Sequence, residues 1–246
     1  MLTVGSLFSG IGGLELGLER AGMQIKWQVE IEPYAKKIIA QHWPDVTRYG
    51  DVRDVGAHNL EPVDLICGGF PCQDVSLATA GKRKGLGGKR STLWSEFARL
   101  ISEIRPRWVL AENVPGLLSA NDGEFFGTIL RNLAEIGYNA EWDCIPAAAF
   151  GAPHIRYRML IVAHPTSVGL EETRPRGMYE RTEQYLHKTA GIDERGQWTI
   201  EPDMGRVANG IPNRVDRIKC LGNAVVPQVA EYIGRRIVEA DRQNHA

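Results

Sequence analysis

Three sets of residues in this sequence have the types and spacing for bond-making chemistry. Cys72, in Gly68-Gly69-Phe70-Pro71-Cys72-Gln73, follows an apolar run through a Gly-Gly turn. Pro71 fixes the backbone there, and the glycines leave room for a planar ring. A thiolate held in such a turn attacks electron-poor carbon; a loop cysteine with no role fits the same residues. Glu112, in Glu112-Asn113-Val114, closes the next apolar run. A carboxylic acid beside a ring nitrogen can protonate it, and burial at a strand end raises its pKa toward the useful range. A loop-capping glutamate is the plainer alternative. Arg156 and Arg158 precede the run Met159–Ala163, so strand alternation puts both on one face. There they could hold a carbonyl oxygen and a phosphate, or simply face solvent.

A fourth set suggests a ligand. Phe8-Ser9-Gly10-Ile11-Gly12-Gly13 leaves a first apolar run and opens a helix-period segment. Glycines let the backbone approach a ligand closely, and a helix N-terminus offers free N–H groups. About 20 residues on, at the next strand end, stand Glu30 and Glu32, placed to accept ribose hydroxyls. Asp51, after the following short run, could take an adenine amino group. Together these favour an adenosine-containing cofactor over plain turns. Glu15 stands where the full dinucleotide pattern expects its last glycine. S-adenosylmethionine is therefore favoured over a nicotinamide dinucleotide.

The elements that must position these groups alternate strand and helix, which predicts βαβ units and a mostly parallel sheet. Strands are expected at Leu2–Phe8, Ile25–Val29, Val63–Cys67, Trp108–Ala111, Tyr138–Ile145 and Met159–Ala163. Helices are expected after Gly13, from Pro33, over Leu93–Ile104 and Gly123–Ile136, and through Val226, Val229, Ala230, Ile233 and Ile237. The chain of 246 residues, 43% hydrophobic, suffices for one sizeable core, and its net charge of −1 gives no global pull toward nucleic acid. Any DNA-binding charge must be local.

No signal peptide or bilayer-spanning stretch is evident, so a cytoplasmic protein is expected. The four cysteines, Cys67, Cys72, Cys144 and Cys220, form no CxxC pair. Neither a structural zinc nor any other metal is expected, and disulfides are disfavoured in that compartment.

In order along the chain, Phe8–Gly13, Pro71-Cys72-Gln73, Glu112-Asn113-Val114, Arg156-Tyr157-Arg158 and Gly222-Asn223-Ala224-Val225-Val226-Pro227 resemble the ordered motifs of cytosine C5 DNA methyltransferases. The run Gly210–Arg217 leading into Gly222 is similar to the compact phage and prophage members. The resemblance implies a doubly wound, Rossmann-like α/β fold and transfer of methyl from S-adenosylmethionine to C5 of a flipped cytosine in double-stranded DNA. Within it, Cys72 attacks C6, Glu112 contacts N3, and Arg156 and Arg158 hold the base and a nearby phosphate. Phe8, Gly10, Gly12 and Gly13 line the cofactor, with Glu30 on the ribose and Asp51 on the adenine. Ile31, Val52, Pro71 and Leu93 belong to the same pocket, and Asn223 and Val225 complete it. Gln73 and the basic loop Lys82, Arg83, Lys84, Lys89 and Arg90 imply DNA contacts that close over the reaction. A monomer is implied, with a cognate restriction endonuclease as a candidate partner.

Three departures from the family pattern stand out. His154 replaces a glutamine before the paired arginines, and Ile31 replaces an aromatic residue on the adenine. The third is size. A catalytic and cofactor-binding domain is expected over 1–164, completed by a C-terminal helix over 218–246, leaving only 165–217 as a small target-recognition region where most members carry a larger lobe. That stretch, with Arg174, Arg176, Arg181, Lys188 and Arg195 among Tyr179, Tyr185 and Trp198, fits a solvated insertion or a small nucleic-acid-reading lobe. A tRNA cytosine methyltransferase, a catalytically silent DNA-binding module and a nicotinamide-dependent oxidoreductase remain alternatives.

Overall fold

The computed structural model describes residues 1–71, 92–166 and 214–244. Cys72, Gln73, Lys82, Arg83, Lys84, Lys89 and Arg90, and nearly all of the expected recognition region, lie outside the described residues.

The described residues form a seven-stranded sheet between two layers of helix. Strands β1 (Thr3–Leu7), β2 (Gln24–Val29), β3 (Thr47–Tyr49), β4 (Leu65–Gly69), β5 (Trp108–Asn113), β6 (Tyr138–Pro146) and β7 (Tyr157–Pro165) lie in the order β3-β2-β1-β4-β5-β7-β6. All neighbouring pairs from β3 to β5 are parallel, and β7 runs antiparallel to both β5 and β6. The strand order reverses beside β1. The carboxyl ends of β1, β2, β4 and β5 therefore open onto one crevice, where open α/β sheets bind their ligands.

Two apolar layers cover the faces of the sheet. On one face α1 (Gly13–Arg20), α2 (Pro33–His42) and the C-terminal α6 (Pro227–Gln243) pack over Val4, Leu65, Cys67 and Leu110. On the other, α3 (Thr92–Ile104) and α4 (Glu124–Ile136) pack over Leu7, Ile66, Val109 and Ile161. Alternation along β1 and β4 feeds both layers, as expected of strands buried on two sides. Pro33 supplies the first turn of α2, where its missing N–H costs nothing. The α1–α6 contact needs glycine: a Cβ on Gly17 would sit 2.3 Å from the Pro227 carbonyl oxygen. No helix among the described residues is long and apolar enough to cross a membrane. Cys67, Cys144 and Cys220 are free, and the described residues hold no metal-binding cluster.

One strand expectation is corrected. The strand expected at Val63–Cys67 runs over Leu65–Gly69, so Gly68 and Gly69 are its last residues rather than a turn. Asp64 is held outside it by the Thr3 backbone N–H and hydroxyl, each 2.8 Å from Asp64 Oδ2. The glycines stay in the ladder opposite Ala111 and Glu112. A further helix, α5 (Arg214–Asn223), precedes the helix expected through Val226 to Ile237.

Candidate active site

Register brings the site together. Gly69 on β4 lies opposite Glu112 on β5, and Glu112 lies opposite Leu160 on β7, two residues beyond Arg158. Glu112 is 7% exposed, and Arg158 Nε stands 2.8 Å from its Oε1. Burial pushes the Glu112 carboxyl up to about 7 even though Arg158 and Arg156 pull it down. It is therefore poised near neutrality, where one group can hold or release a proton. Space beside it depends on Gly69, where a Cβ would lie 2.8 Å from Glu112 Oε2.

Asn113, next to Glu112 and also buried, donates from Nδ2 to the Phe70 carbonyl oxygen at 3.0 Å. Its Oδ1 accepts the Val114 backbone N–H at 2.8 Å. The carboxyl end of β5 thus fixes the backbone of Phe70, two residues before Cys72. Phe70 is anchored further by ring contacts with Trp94 and Phe97 on α3.

Arg156 departs from the expected alternation. It precedes the first residue of β7 and has φ 28°, so it does not share a strand face with Arg158. Its Nη2 instead donates to the Gly222 and Ala224 carbonyl oxygens at 2.5 and 2.7 Å. Arg158 Nη2 reaches the same Gly222 oxygen at 3.4 Å. The two arginines converge on the α5–α6 turn, one of them also on Glu112.

On the other side of the crevice the chain after β1 turns through left-handed conformations at Phe8 (φ 53°), Gly10 (φ 56°) and Gly12 (φ 86°). Beside Gly10 the space is open among the described residues, whereas a Cβ on Gly12 would strike the Trp43 ring. Gly13 lies against the Val225 backbone, its Cβ position 2.4 Å from that carbonyl oxygen. Glu30, also 7% exposed, accepts the Gly10 N–H at 2.6 Å and the Glu32 N–H at 2.8 Å. A carboxylate has about four acceptor positions, so two remain for hydroxyls.

Among the other expected pocket residues, Ile31 is 62% exposed and Val52 is buried in the core. Leu93 packs partly buried against that core, and Pro71 and Asn223 are exposed. Asp51 accepts the Arg53 backbone N–H at 3.0 Å and its Nε at 2.9 Å, and Arg53 Nη2 bonds the other oxygen. Arg53 holds the Asp51 carboxyl below its ordinary value.

Sequence reasoning misses three of these relations. Asn113 lies inside the Glu112-Asn113-Val114 motif with no role of its own there, although a buried amide after a strand-end acid has to find partners. Lys219 of α5 pairs with Glu32 at 2.7 Å, a contact 187 residues apart that no local pattern carries. The grip of Arg53 on Asp51 is readable as a short-range capping pair.

The model of the C-5 cytosine-specific DNA methylase family matches residues 2–197. The chain belongs to that family. It is 37% identical over 166 residues to the type II methyltransferase M2.BsuMI of Bacillus subtilis, covering 66% of this chain and 42% of the relative. It is 40% identical over 164 residues to the type II methyltransferase M.Eco47II of Escherichia coli, covering 65% and 39%. A solved DNA modification methyltransferase encoded within an E. coli prophage aligns with TM-score 0.58 at 32% identity, over 68% of this chain and 48% of that one. This C-5 cytosine-specific DNA methylase family chain thus spans less than half the length of these relatives. Its fold is the Rossmann-like α/β fold of S-adenosylmethionine-dependent C5 methyltransferases.

Proposed function

We propose that this protein methylates C5 of cytosine in double-stranded DNA, using S-adenosylmethionine. The observation that carries the reading is the buried Glu112, poised near neutrality against Arg158 at the strand end beside the Phe70-Pro71 backbone that leads to Cys72. That is the arrangement needed to polarise a ring nitrogen while a thiolate adds to the same ring.

The crevice fits the cofactor by its donor set. The Phe8–Gly12 turn is open at Gly10, and Glu30 keeps acceptor positions for ribose hydroxyls. Phe8, Gly10, Gly12, Gly13 and Val225 would line it, with Asp51 toward the adenine. When bound, S-adenosylmethionine supplies the methyl group.

The chain's own residues prepare the acceptor. The cytosine must leave the stack, because neither face of C5–C6 is reachable inside a duplex. Glu112, as the neutral acid, donates to N3 and draws electron density from C6. The Cys72 thiolate then adds to C6, and the electron pair released onto C5 makes that carbon the nucleophile. After C5 gains its methyl group, water takes the C5 proton, the freed pair restores the C5–C6 double bond and expels Cys72 as thiolate, and N3 returns its proton to Glu112. Arg158 holds the Glu112 carboxyl and faces the base, while Arg156 holds the α5–α6 turn. The basic segment Lys82–Arg90 grips phosphates. The same reading makes the protein a cytoplasmic monomer, with a restriction endonuclease as the partner that would make methylation protective.

The test is a covalent trap. Duplex DNA containing 5-fluorocytosine, incubated with protein and cofactor, yields a stable adduct, because fluorine at C5 cannot leave as a proton. Wild type should form the adduct and Cys72→Ala should not. No adduct with wild type, or an equal one with the variant, overturns the proposal. Running tRNA beside the duplex separates the two nucleic acid substrates.

A further inference from the structure

One acid in the cofactor half has no place in this scheme. Glu15 lies in the first turn of α1 and is 0% exposed. It sits over a row of polar side chains crossing the sheet at one level, for Ser6 on β1 pairs with Gln28 on β2 and with Cys67 on β4. Ser6, Gln28 and Cys67 are each 0% exposed. Ser9, in the glycine-rich turn, donates to Ser6 Oγ at 3.0 Å. Among the described residues neither Glu15 oxygen, nor either polar atom of Gln28, has a hydrogen-bond partner. Ser6, Ser9 and Gln28 are nonetheless close enough to favour the charged carboxylate, against the larger opposing effect of burial.

We propose that Glu15 is a positioning residue for the cofactor turn, acting through Ser9 and Ser6 from beneath. Among the described residues no cation faces it: the groups around it are two hydroxyls, an amide and the Cys67 thiol, whose pKa is itself raised by burial. A buried carboxylate without a counter-charge takes up a proton, because the low-dielectric interior penalises the ion more than the acid. As the acid, Glu15 has one donor and one carbonyl acceptor. The Ser6 and Ser9 hydroxyls are the neighbours that can meet the two, which ties the Ser9 side chain to Glu15. Ser9 is flanked by the left-handed Phe8 and Gly10, so its anchoring sets the shape of the loop. Ser9 also donates its backbone N–H to the Val29 carbonyl oxygen at 3.1 Å, which leaves the side chain as the adjustable tie.

This inference rests on the proposed binding of S-adenosylmethionine at the turn, and the experiment separates the two. Calorimetry with S-adenosylmethionine alone, in the absence of DNA, is run on wild type, Glu15→Gln and Glu15→Leu, with unfolding temperatures measured beside it. Glutamine keeps an N–H donor group and a carbonyl acceptor without a charge and should bind within about twofold of wild type. Leucine keeps the volume without hydrogen bonds and should bind about tenfold more weakly, the scale of one lost hydrogen bond. Leucine binding as tightly as wild type, or glutamine binding as weakly as leucine, overturns the role of Glu15. Should Glu15→Leu fail to fold, Ser9→Ala decides: weakened binding supports the role and unchanged binding overturns it. Wild type that does not bind S-adenosylmethionine removes the functional reading instead.

Discussion

Arg158 Nε is 2.8 Å from Glu112 Oε1, yet the carboxyl it faces is pushed up to about 7. Burial at the end of β5 outweighs the attraction of a close cation. The pair is better understood as a device for tuning an acid than as a stabilising ion pair, since desolvation of the buried Glu112 carboxyl offsets much of the Coulombic gain.

The first prediction follows from that balance. Glu112 donates a proton only while neutral, so activity should fall as pH rises through about 7. Arg158→Ala removes the cation that favours the carboxylate, so this fall on the alkaline side should move to higher pH even as the rate drops. Glu112→Gln should lower kcat by about 10² to 10⁴, the usual weight of a general acid. The stability linkage has a definite sign. The folded pKa is raised above the ordinary 4.5, so the contribution is fully present below 4.5 and is lost as pH rises through about 7. Denaturant titrations of wild type and Glu112→Gln from pH 4 to 8 read that difference directly. Equal slopes with pH would remove the buried-acid account.

Gly68 and Gly69 are adjacent in the sequence but should fail differently. A Cβ on Gly69 meets the Glu112 carboxyl at 2.8 Å, a side-chain end that can shift, whereas a Cβ on Gly68 meets the Leu7 carbonyl oxygen at 2.4 Å, which cannot. Gly69→Ala should fold and lose activity with an altered pH profile. Gly68→Ala should lose about 1 to 3 kcal/mol of stability, the cost of overpacking a core. Thermal unfolding and rate assays on both variants distinguish these outcomes.

Asn113 connects the end of β5 to the Phe70-Pro71 backbone through its 3.0 Å bond to the Phe70 carbonyl oxygen. Asn113→Ala leaves that oxygen without its donor and frees the Val114 N–H, at a cost of about 1 to 3 kcal/mol. Adduct formation on 5-fluorocytosine DNA should slow more than cofactor binding weakens. Equal losses in both would place the effect in the fold as a whole.

How much of this is legible in the sequence depends on how local the signal is. Trp108–Ala111 is an unbroken apolar run followed directly by an acid, so the residue order alone declares both the buried strand and Glu112 at its end. The buried positions Val229, Ala230, Ile233 and Ile237 declare α6 by their spacing. The helix α5 escapes because half of Arg214–Asn223 is charged or polar and its spaced apolar residues mark no buried face, Val215 being 75% and Leu221 41% exposed. Arg156 escapes for a backbone reason: alternation presumes extended residues, and a φ of 28° turns its side chain elsewhere. The roles of Glu30 and Asp51 are read from position alone. Their bonds to the Gly10 and Glu32 backbone and to Arg53 depend on tertiary packing or on turn geometry that strand-end spacing does not encode.

Arg156 gives the last prediction. Its guanidinium holds the Gly222 and Ala224 carbonyl oxygens while Val225 closes against Gly13, so the turn between α5 and α6 is pinned by Arg156 on one side and packed against the glycine-rich turn on the other. Arg156→Met keeps the aliphatic stem and removes the donors. The carbonyls then turn to water, and the backbone from 222 to 226 should exchange its amide hydrogens faster while the sheet does not. Because Val225 moves with that turn, affinity for S-adenosylmethionine should fall several-fold without DNA present, about 1 kcal/mol for a hydrogen bond lost at a partly exposed site. A lysine at 156 restores the charge but not the forked geometry that reaches two carbonyls, and should recover little of the affinity. If Arg156 served only a DNA phosphate, cofactor affinity and exchange at 222–226 would both stay at wild-type values, and only DNA binding would weaken.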